Sequence, residues 1–339
     1  HGLLPEMPAM MSCCILGGSG FVGSRLVAHL ANAGYAVTVP TRDPERCRHL
    51  RLLPTVRVIH ADIHAPGMLE QLLRGTDVAI NLVGILNETG RDGAGFRRAH
   101  MERTRRLIEA CSAAGVDRLI QVSALNAASP DTTHPDTSHY LRSKGEAEAL
   151  VRASGLRWTI LQPAVIFGPG DSFLNRFASL LRVVPFAFPL AMPDARVSPV
   201  HVANVVEAIA RAVRDPATAG RTYQLCGPDT FTLHELVRMV AGTLGLRRRI
   251  IGLPRPLSRL QAAVMDFVPG KPFSTDNYRS LLTDSVGDTD GLRELGIQPR
   301  PLQPNLADVL GGAGLPGIRD SYRQQARRRR PRVPRGRVP

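Results

Sequence analysis

The sequence predicts an α/β fold: a doubly wound parallel sheet with a smaller C-terminal region over the open end of the sheet. Three observations carry that reading. Short apolar runs alternate with stretches of helical period through about the first 165 residues. A glycine-rich turn joins the first apolar run to the first helical stretch. After Pro163 the alternation gives way to loops and isolated helices punctuated by Pro and Gly.

Residues 13–16, Cys13-Cys14-Ile15-Leu16, read as a buried strand, with the two cysteines pointing to opposite faces. Residues 21–33 follow as a helix, because Phe21, Val22, Leu26, Val27 and Leu30 recur at helical spacing. Further strands are expected at residues 36–39, 56–60, 78–83, 119–122 and 158–162, with helices near 67–73, 96–114 and 140–152. A strand, helix, strand rhythm of this kind requires right-handed crossovers onto a parallel sheet. Beyond it, residues 200–213 and 233–244 read as helices and 223–225 as a short strand, so 200–225 returns in part to the main sheet.

Composition narrows the class. With 43% hydrophobic and 21% charged residues in 339, most of the chain is globular. The most apolar stretch, 183–192, is broken by Pro185 and Pro189, which argues against a membrane-spanning helix. Five cysteines, an odd count without paired C-x-x-C spacing, argue for a reducing compartment and against a disulfide framework or a zinc site. No H-E-x-x-H spacing or other metal-ligand pattern occurs, so no metal is expected.

The net charge of +14 is uneven: nine arginines against Asp320 after residue 318 leave only +6 for the rest. Residues 319–339 therefore read as a disordered, solvated tail whose chemistry suits anionic lipid, RNA or an acidic partner. A tail alone does not support specific nucleic-acid binding. Residues 1–10 begin with His1 and lack the charged start and apolar run of a signal peptide. They are read as an extension or tag remnant, and a cytoplasmic location, peripheral on the inner face of the membrane, is expected.

The chemistry begins at Gly17-Gly18-Ser19-Gly20-Phe21-Val22-Gly23, a G-x-x-G-x-x-G run placed directly after a strand and opening a helix. Gly17 permits the tight turn, Gly20 lets the backbone approach a pyrophosphate, and Gly23 lets the helix pack closely on the strand. With Ser19, Phe21 and Val22, these glycines make a Rossmann-type dinucleotide loop. The predicted division is a dinucleotide-binding domain at 11–165 and a smaller substrate or partner region at 166–318.

The end of the second strand selects the dinucleotide. It reads Val39-Pro40-Thr41-Arg42-Asp43, with no carboxylate before Arg42, and a guanidinium pairs well with a 2′-phosphate. NADP(H) is therefore preferred, and Asp43 leaves NAD(H) open. An ordinary exposed arginine in an arginine-rich chain is the plainer alternative for Arg42. Asp62 and Ile63, after the third strand, are placed to edge the adenine. Asn81-Leu82-Val83-Gly84, after the fourth, is placed to run beneath the ribose and nicotinamide, with Val83 and Gly84 as contacts.

Tyr140 and Lys144 stand one turn apart on one helical face. An ammonium there is expected to lower the phenol's pKa and to hold a nicotinamide ribose, making Tyr140 a general acid. Only Lys144 and Lys271 are lysine among 43 basic residues, so this lysine stands out from an arginine background. A surface pair on a helix is the bland alternative.

With these residues assembled, the sequence resembles the extended short-chain dehydrogenase/reductase superfamily. More narrowly, it is similar to the atypical branch containing the NADPH-carrying accessory subunit of respiratory complex I and its bacterial relatives. The segments carrying that resemblance are residues 78–84, 122–127, 140–144, 166–168, 173–178 and 295–298. The resemblance implies a tightly held NADP(H) in a structural role and association with complex I or quinone-biosynthesis proteins. It also implies that Pro163 lines the nicotinamide pocket. Active members place a Ser or Thr just beyond the fifth strand, whereas here Ser123 is followed by Ala124-Leu125-Asn126. Asn204 stands where relatives usually carry aspartate and reads as a cap or loop anchor, and His201 reads as packing or capping.

Three readings follow. The first is a protein that holds NADP(H) structurally within a respiratory or quinone-linked assembly. The second is an active NADP(H)-dependent oxidoreductase or epimerase on a carbonyl or hydroxyl substrate, with Tyr140 as acid/base. The third adds peripheral membrane contact through residues 183–192, 257–267 and the arginine tail, with ordinary burial over the substrate pocket as the plainer and preferred reading of the two apolar stretches.

Overall fold

A computed structural model describes residues 10–85, 92–127, 137–268 and 273–311. Strands β1 (Ser12–Leu16), β2 (Ala36–Thr41), β3 (Val56–His60), β4 (Val78–Asn81), β5 (Arg118–Val122) and β6 (Arg157–Pro163) come first. They alternate with α1 (Phe21–Asn32), α2 (Met68–Leu73), α3 (Ala94–Arg97), α4 (Arg103–Ala114) and α5 (His139–Arg152). The later chain adds β7 (Ile166–Phe167), α6 (Leu174–Val183), β8 (Ala187–Leu190), β9 (Arg196–Val197) and β10 (Val200–His201). After them come α7 (Val202–Arg214), β11 (Arg221–Leu225), β12 (Phe231–Thr232), α8 (Leu233–Thr243) and β13 (Arg249–Gly252). Four helices close the described chain: α9 (Arg255–Met265), α10 (Thr275–Ser280), α11 (Gly291–Glu294) and α12 (Leu306–Gly311). The expected tail at 319–339 and nearly all of the expected extension lie outside the described residues, as does Lys271.

The central sheet has seven parallel strands in the order β11-β6-β5-β4-β1-β2-β3, the predicted α/β architecture. Ile15 pairs with Ile80 and Cys13 with Val37, so β1 lies between β4 and β2 and the order runs both ways from it. The strand order reverses between β1 and β4, which opens a crevice at their carboxyl ends.

Cys13 and Cys14 divide between the two faces of the sheet. Cys13 joins the core formed with Leu26 and Leu30 of α1 and Val205, Ile209 and Val213 of α7. Cys14 faces Leu69, Leu107 and Val151 of α2, α4 and α5. Burial pushes both thiols up to about 12, so they act as small hydrophobes. All five cysteines are free. A second core lies beyond the sheet, where Phe167, Leu174 and Leu181 meet Leu236 and Val240 of α8 and Leu306 and Val309 of α12.

Among the boundaries that differ from expectation, two do so for identifiable local reasons. β4 ends at Asn81 rather than residue 83, because Asn81 Oδ1 accepts the Val83 N–H (3.1 Å) and turns the chain out of the sheet. The helix expected from residue 200 starts at Val202, because Val200 and His201 pair with Ile166 and Phe167. His201 is its N-cap, with Nδ1 accepting the Ala203 N–H (3.1 Å). Asn204 anchors a loop: its Nδ2 donates to the Gln298 carbonyl (2.9 Å) and its Oδ1 accepts the Arg300 N–H (2.8 Å). Among the described residues no helix is long and apolar enough to cross a membrane.

Candidate functional site

The glycine turn stands at the β1–β4 crevice. Gly17 is left-handed (φ +83°), and Gly20 donates its N–H to the Gly17 carbonyl at 3.0 Å, closing the turn. A Cβ at Gly23 would lie 2.2 Å from the Gly17 oxygen, so only glycine lets α1 pack against the turn. Gly20 caps α1 without a side chain, and no acidic residue occupies the first turn. The free N–H groups and the positive dipole end of α1 therefore face the crevice, which suits an anion. Ser19 is exposed at the tip of the loop. Val22 packs on the core, and the Arg25 guanidinium sits 4.5 Å above the Phe21 ring.

The β4 exit runs against this turn: a Cβ at Gly17 would meet Leu82 and Val83 within 3.3 Å. A buried polar network fixes it. Asn81 Nδ2 donates to Gln121 (2.9 Å) and Thr104 (3.3 Å), and the Ile85 N–H donates to His100 Nε2 (3.1 Å). With Nε2 accepting, His100 Nδ1 carries the proton and donates to Ser143 Oγ (2.8 Å), which donates to the Tyr140 carbonyl (2.8 Å). The β4 exit and the tyrosine-bearing helix are thus tied through one imidazole. Burial, then the charges of Lys144 and Arg103, pushes His100 down to about 2, so the ring is neutral.

Lys144 is buried beneath the same exit. Its Nζ donates to the Val122 carbonyl (3.3 Å), and a Cβ on Gly84 would lie 3.2 Å from it. Burial lowers its pKa to about 8, with Glu148 opposing. Tyr140 packs T-shaped on His100 (5.5 Å) and Phe96 (5.9 Å). The expectation that Lys144 depresses the phenol's pKa is corrected here: burial pushes Tyr140 up to about 12. The ammonium is directed at Val122 and Gly84, and the phenol ring stands among apolar and neutral aromatic neighbours.

The helix carrying both residues has a double clasp at its start. Ser138 Oγ accepts the Leu141 N–H (3.0 Å). The Asp276 carboxylate, from α10, accepts the N–H groups of His139 (2.6 Å) and Tyr140 (3.1 Å). Asp276, His100 and Ser143 carry no sequence pattern that marks these roles.

At the far side of the crevice Arg42 is exposed directly after β2, and Asp62 and Ile63 follow β3 by two and three residues. Asp62 Oδ1 accepts the His64 N–H (3.0 Å). Asp43 is engaged by Arg46 (3.1 Å). Arg103 of α4, also missed, is drawn into this group: its Nη2 meets His64 Nε2 (3.1 Å), and burial and Arg42 lower its pKa while Asp62 raises it. The Arg103 Nε is buried with no hydrogen-bond partner among the described residues. A buried guanidinium that feels the charge of Arg42 and keeps one donor unmet among the described residues fits a multiply charged anion.

Beyond β5, Ala124 and Leu125 are buried and apolar, and the buried Ser123 Oγ has no partner among the described residues. Asn126 is left-handed (φ +61°) and donates to the Asp284 carbonyl (2.7 Å). Pro163 is buried at the end of β6, and its carbonyl accepts the Leu125 N–H (2.9 Å). The chain therefore brings the glycine turn, Val83, Gly84, Tyr140 and Lys144 to one crevice. Arg42, Asp62 and Arg103 flank it, and Pro163 borders the β5 exit.

Residues 17–175 match the family described as NAD(P)H-binding. The chain is 32% identical over 311 residues to the mitochondrial NADH dehydrogenase [ubiquinone] 1 alpha subcomplex subunit 9 of Mus musculus, covering 87% of this chain and 78% of that protein. It is 31% identical over 252 residues to a ceramide reductase of Caulobacter vibrioides, covering 74% and 76%. Among solved structures, MoeE5 in complex with UDP-glucuronic acid and NAD superposes with a TM-score of 0.69 at 22% identity, covering 91% of this chain and 99% of that one. That last likeness speaks for the fold.

Proposed function

Because the chain belongs to the atypical extended short-chain dehydrogenase/reductase superfamily, close to the complex I alpha subcomplex subunit 9 proteins, we propose that it holds NADP(H) as a resident cofactor within a respiratory or quinone-linked assembly. The observation that carries the reading is the α1 N-terminus, which has no side-chain cap and no acid and is aimed into the crevice where the strand order reverses. Gly17, Ser19, Gly20, Phe21, Val22 and Gly23 would hold the pyrophosphate. Asp62 and Ile63 would edge the adenine, and Arg42 with Arg103 would take the 2′-phosphate, favouring NADP(H) over NAD(H). Val83, Gly84, Tyr140 and Lys144 would hold the nicotinamide ribose, with Pro163 beside the nicotinamide.

A structural role is supported by what surrounds the nicotinamide end. Ala124, Leu125 and Asn126, directly after Ser123, carry no hydroxyl to polarise a carbonyl, and the Tyr140 phenol is held at about 12 by burial. The test is native mass spectrometry of protein purified without added nucleotide, followed by denaturing release. NADPH at near one per chain is the expected result. Purified protein that is empty and binds neither dinucleotide would refute the reading.

A second reading rests on the retained Tyr140 and Lys144 and on the ceramide reductase relative. The cofactor would supply hydride to a carbonyl carbon, and the Tyr140 hydroxyl would supply the proton to its oxygen, yielding an alcohol and NADP+. A carbonyl panel that includes ceramide-type lipids, with Tyr140→Phe as control, separates this from the first reading. NADPH oxidation lost in that variant would favour an enzyme.

A further inference from the structure

The stripe of α5 that carries Tyr140 and Lys144 continues into two further charged residues. Tyr140, Lys144, Glu148 and Arg152 recur at every fourth position and so stand one above another on one face of the helix. Lys144 and Glu148 are both withdrawn from solvent, at 4% and 2% exposure. A carboxylate taken out of water is costly unless it is paired and hydrogen-bonded. Glu148 meets that condition: Gln162 Nε2 donates to both of its oxygens (2.8 and 3.0 Å), and Arg152 Nη2 donates to Oε2 (2.7 Å). Gln162 stands on β6 directly before Pro163, so this carboxylate ties α5 to the strand end that borders the crevice.

The same carboxylate is the anion that Lys144 feels. Among the described residues the ammonium makes one hydrogen bond, to the Val122 carbonyl of β5 (3.3 Å), and a neutral acceptor alone does not offset the burial of a full charge. The groups that the neighbouring described elements present supply no counterion. His100 shares with Lys144 the space beside Gly84, where a Cβ would lie 3.2 Å from Nζ and 3.6 Å from His100 Nε2, and its ring is neutral. Arg103, at the start of α4, is a cation. Tyr140 keeps its proton. Asp276 of α10 is taken up by the N–H groups that open α5. Burial drives the Lys144 pKa down, and Glu148 is the group that opposes it.

We propose that Glu148 is a positioning residue of the dinucleotide crevice: it supplies the negative charge that holds Lys144 as an ammonium, and through Gln162 it fixes the end of β6 beside that ammonium. The inference rests on the role proposed above for Lys144 at the nicotinamide ribose. Hydrogen bonds donated by an ammonium are stronger than those donated by a neutral amine, so a Lys144 without its charge would hold the ribose more weakly. Glu148 lies one turn beyond Lys144 along the helix and acts on a bound dinucleotide through Lys144 and Gln162.

Lys144 and Lys271 are the only lysines, so Lys271→Arg leaves Lys144 as the single lysine of the full chain. Its titration is read by NMR of lysine-labelled, nucleotide-free protein, with a midpoint expected at about 8. Glu148→Gln keeps the length and an acceptor oxygen while removing the charge, and should move that midpoint down by about 1 pH unit. Glu148→Asp keeps the charge and should stay close to the parent. NADPH affinity in Glu148→Gln should then fall about fivefold at pH 8 and less than about twofold at pH 6, where Lys144 is charged in both proteins. A purely structural clasp would leave the midpoint in place and weaken binding equally at the two pH values, and that result overturns the proposal. A parent midpoint below about pH 7, which needs no variant, overturns it as well. If the midpoint moves as expected and neither protein binds a dinucleotide, the pairing of Glu148 with Lys144 stands and the resident-cofactor reading fails.

Discussion

The carboxylate of Asp276 closes the start of the helix that bears Tyr140, accepting the Tyr140 N–H at 3.1 Å and that of His139 at 2.6 Å. A residue of α10, 136 positions further along the chain, thus sets the entry of the helix that supplies both Tyr140 and Lys144. Removing it leaves two N–H groups of a helix end without their acceptor. Asp276→Ala should cost about 1–2 kcal/mol, read by urea unfolding, while Asp276→Asn should recover part of the loss. An unchanged midpoint in Asp276→Ala would show that the clasp is not maintained in solution.

Gly23→Ala tests the turn directly. The added methyl would meet the Gly17 carbonyl at 2.2 Å and Gly18 Cα at 2.7 Å, so α1 must move away from the turn. Overpacking of this kind costs about 1–3 kcal/mol. Nucleotide affinity should fall at least about tenfold, measured by titration calorimetry. Gly34→Ala, at a positive φ of +89° and with open space around it, should leave nucleotide affinity unchanged.

Arg42 and Arg103 should separate the two dinucleotides. Arg42→Glu is expected to weaken NADPH binding by about tenfold or more, and Arg103→Gln by a similar factor, with NADH affected little. Equal losses for both dinucleotides would remove the 2′-phosphate role from these residues.

Lys144 predicts a rise of stability with pH. Its pKa is lowered in the folded protein to about 8 from 10.5. Between those values the unfolded chain binds a proton that the folded chain does not. Stability of the nucleotide-free protein should therefore climb from about pH 8 to about pH 10.5, by roughly 1.4 kcal/mol per pH unit at most. In Lys144→Met that climb should disappear. Denaturant melts at pH 7, 8, 9 and 10 decide it, and parallel curves for the two proteins would contradict the burial of this ammonium.

His100 predicts the acid side. Its folded pKa is held near 2 against 6.5, so its contribution is complete above pH 6.5 and is lost as pH falls toward 2. His100→Asn should be less stable at pH 7 by about 1–3 kcal/mol, because Ile85 and Ser143 lose their shared partner. The gap between the two proteins should narrow on acidification. A gap that stays constant from pH 7 to 4 would argue against a buried neutral imidazole.

Much of this was legible in the residues, and the part that was not has a common cause. The strand and helix alternation and the glycine turn are local signals, each confined to a dozen residues, and they predict the sheet and the crevice. The capping box of α8, Thr232 with Glu235, is local in the same way. Asp276 is remote from Tyr140 by 136 positions, and Arg103 from His64 by 39. Neither has a spacing that announces its partner, because only tertiary packing brings them together. The Lys144 effect on Tyr140 was misjudged for a related reason. One-turn spacing shows that two side chains share a face, and burial and the Val122 carbonyl decide where each one points.

The pairing of α1 with α7 bears on how the chain is made. Leu26, Val27 and Leu30 of α1 share a core with Val205, Ile209 and Val213 of α7, and β11 completes the sheet beyond β6. A growing polypeptide therefore has its nucleotide loop and six strands synthesised while one side of that sheet is covered by α1 but not yet by α7. Until α7 leaves the ribosome, this greasy surface is open to chaperones or to a neighbouring nascent chain. An excised N-terminal half ending near Pro163 would carry every glycine of the loop and still come out as aggregate. The shortest fragment expected to fold extends past Leu225.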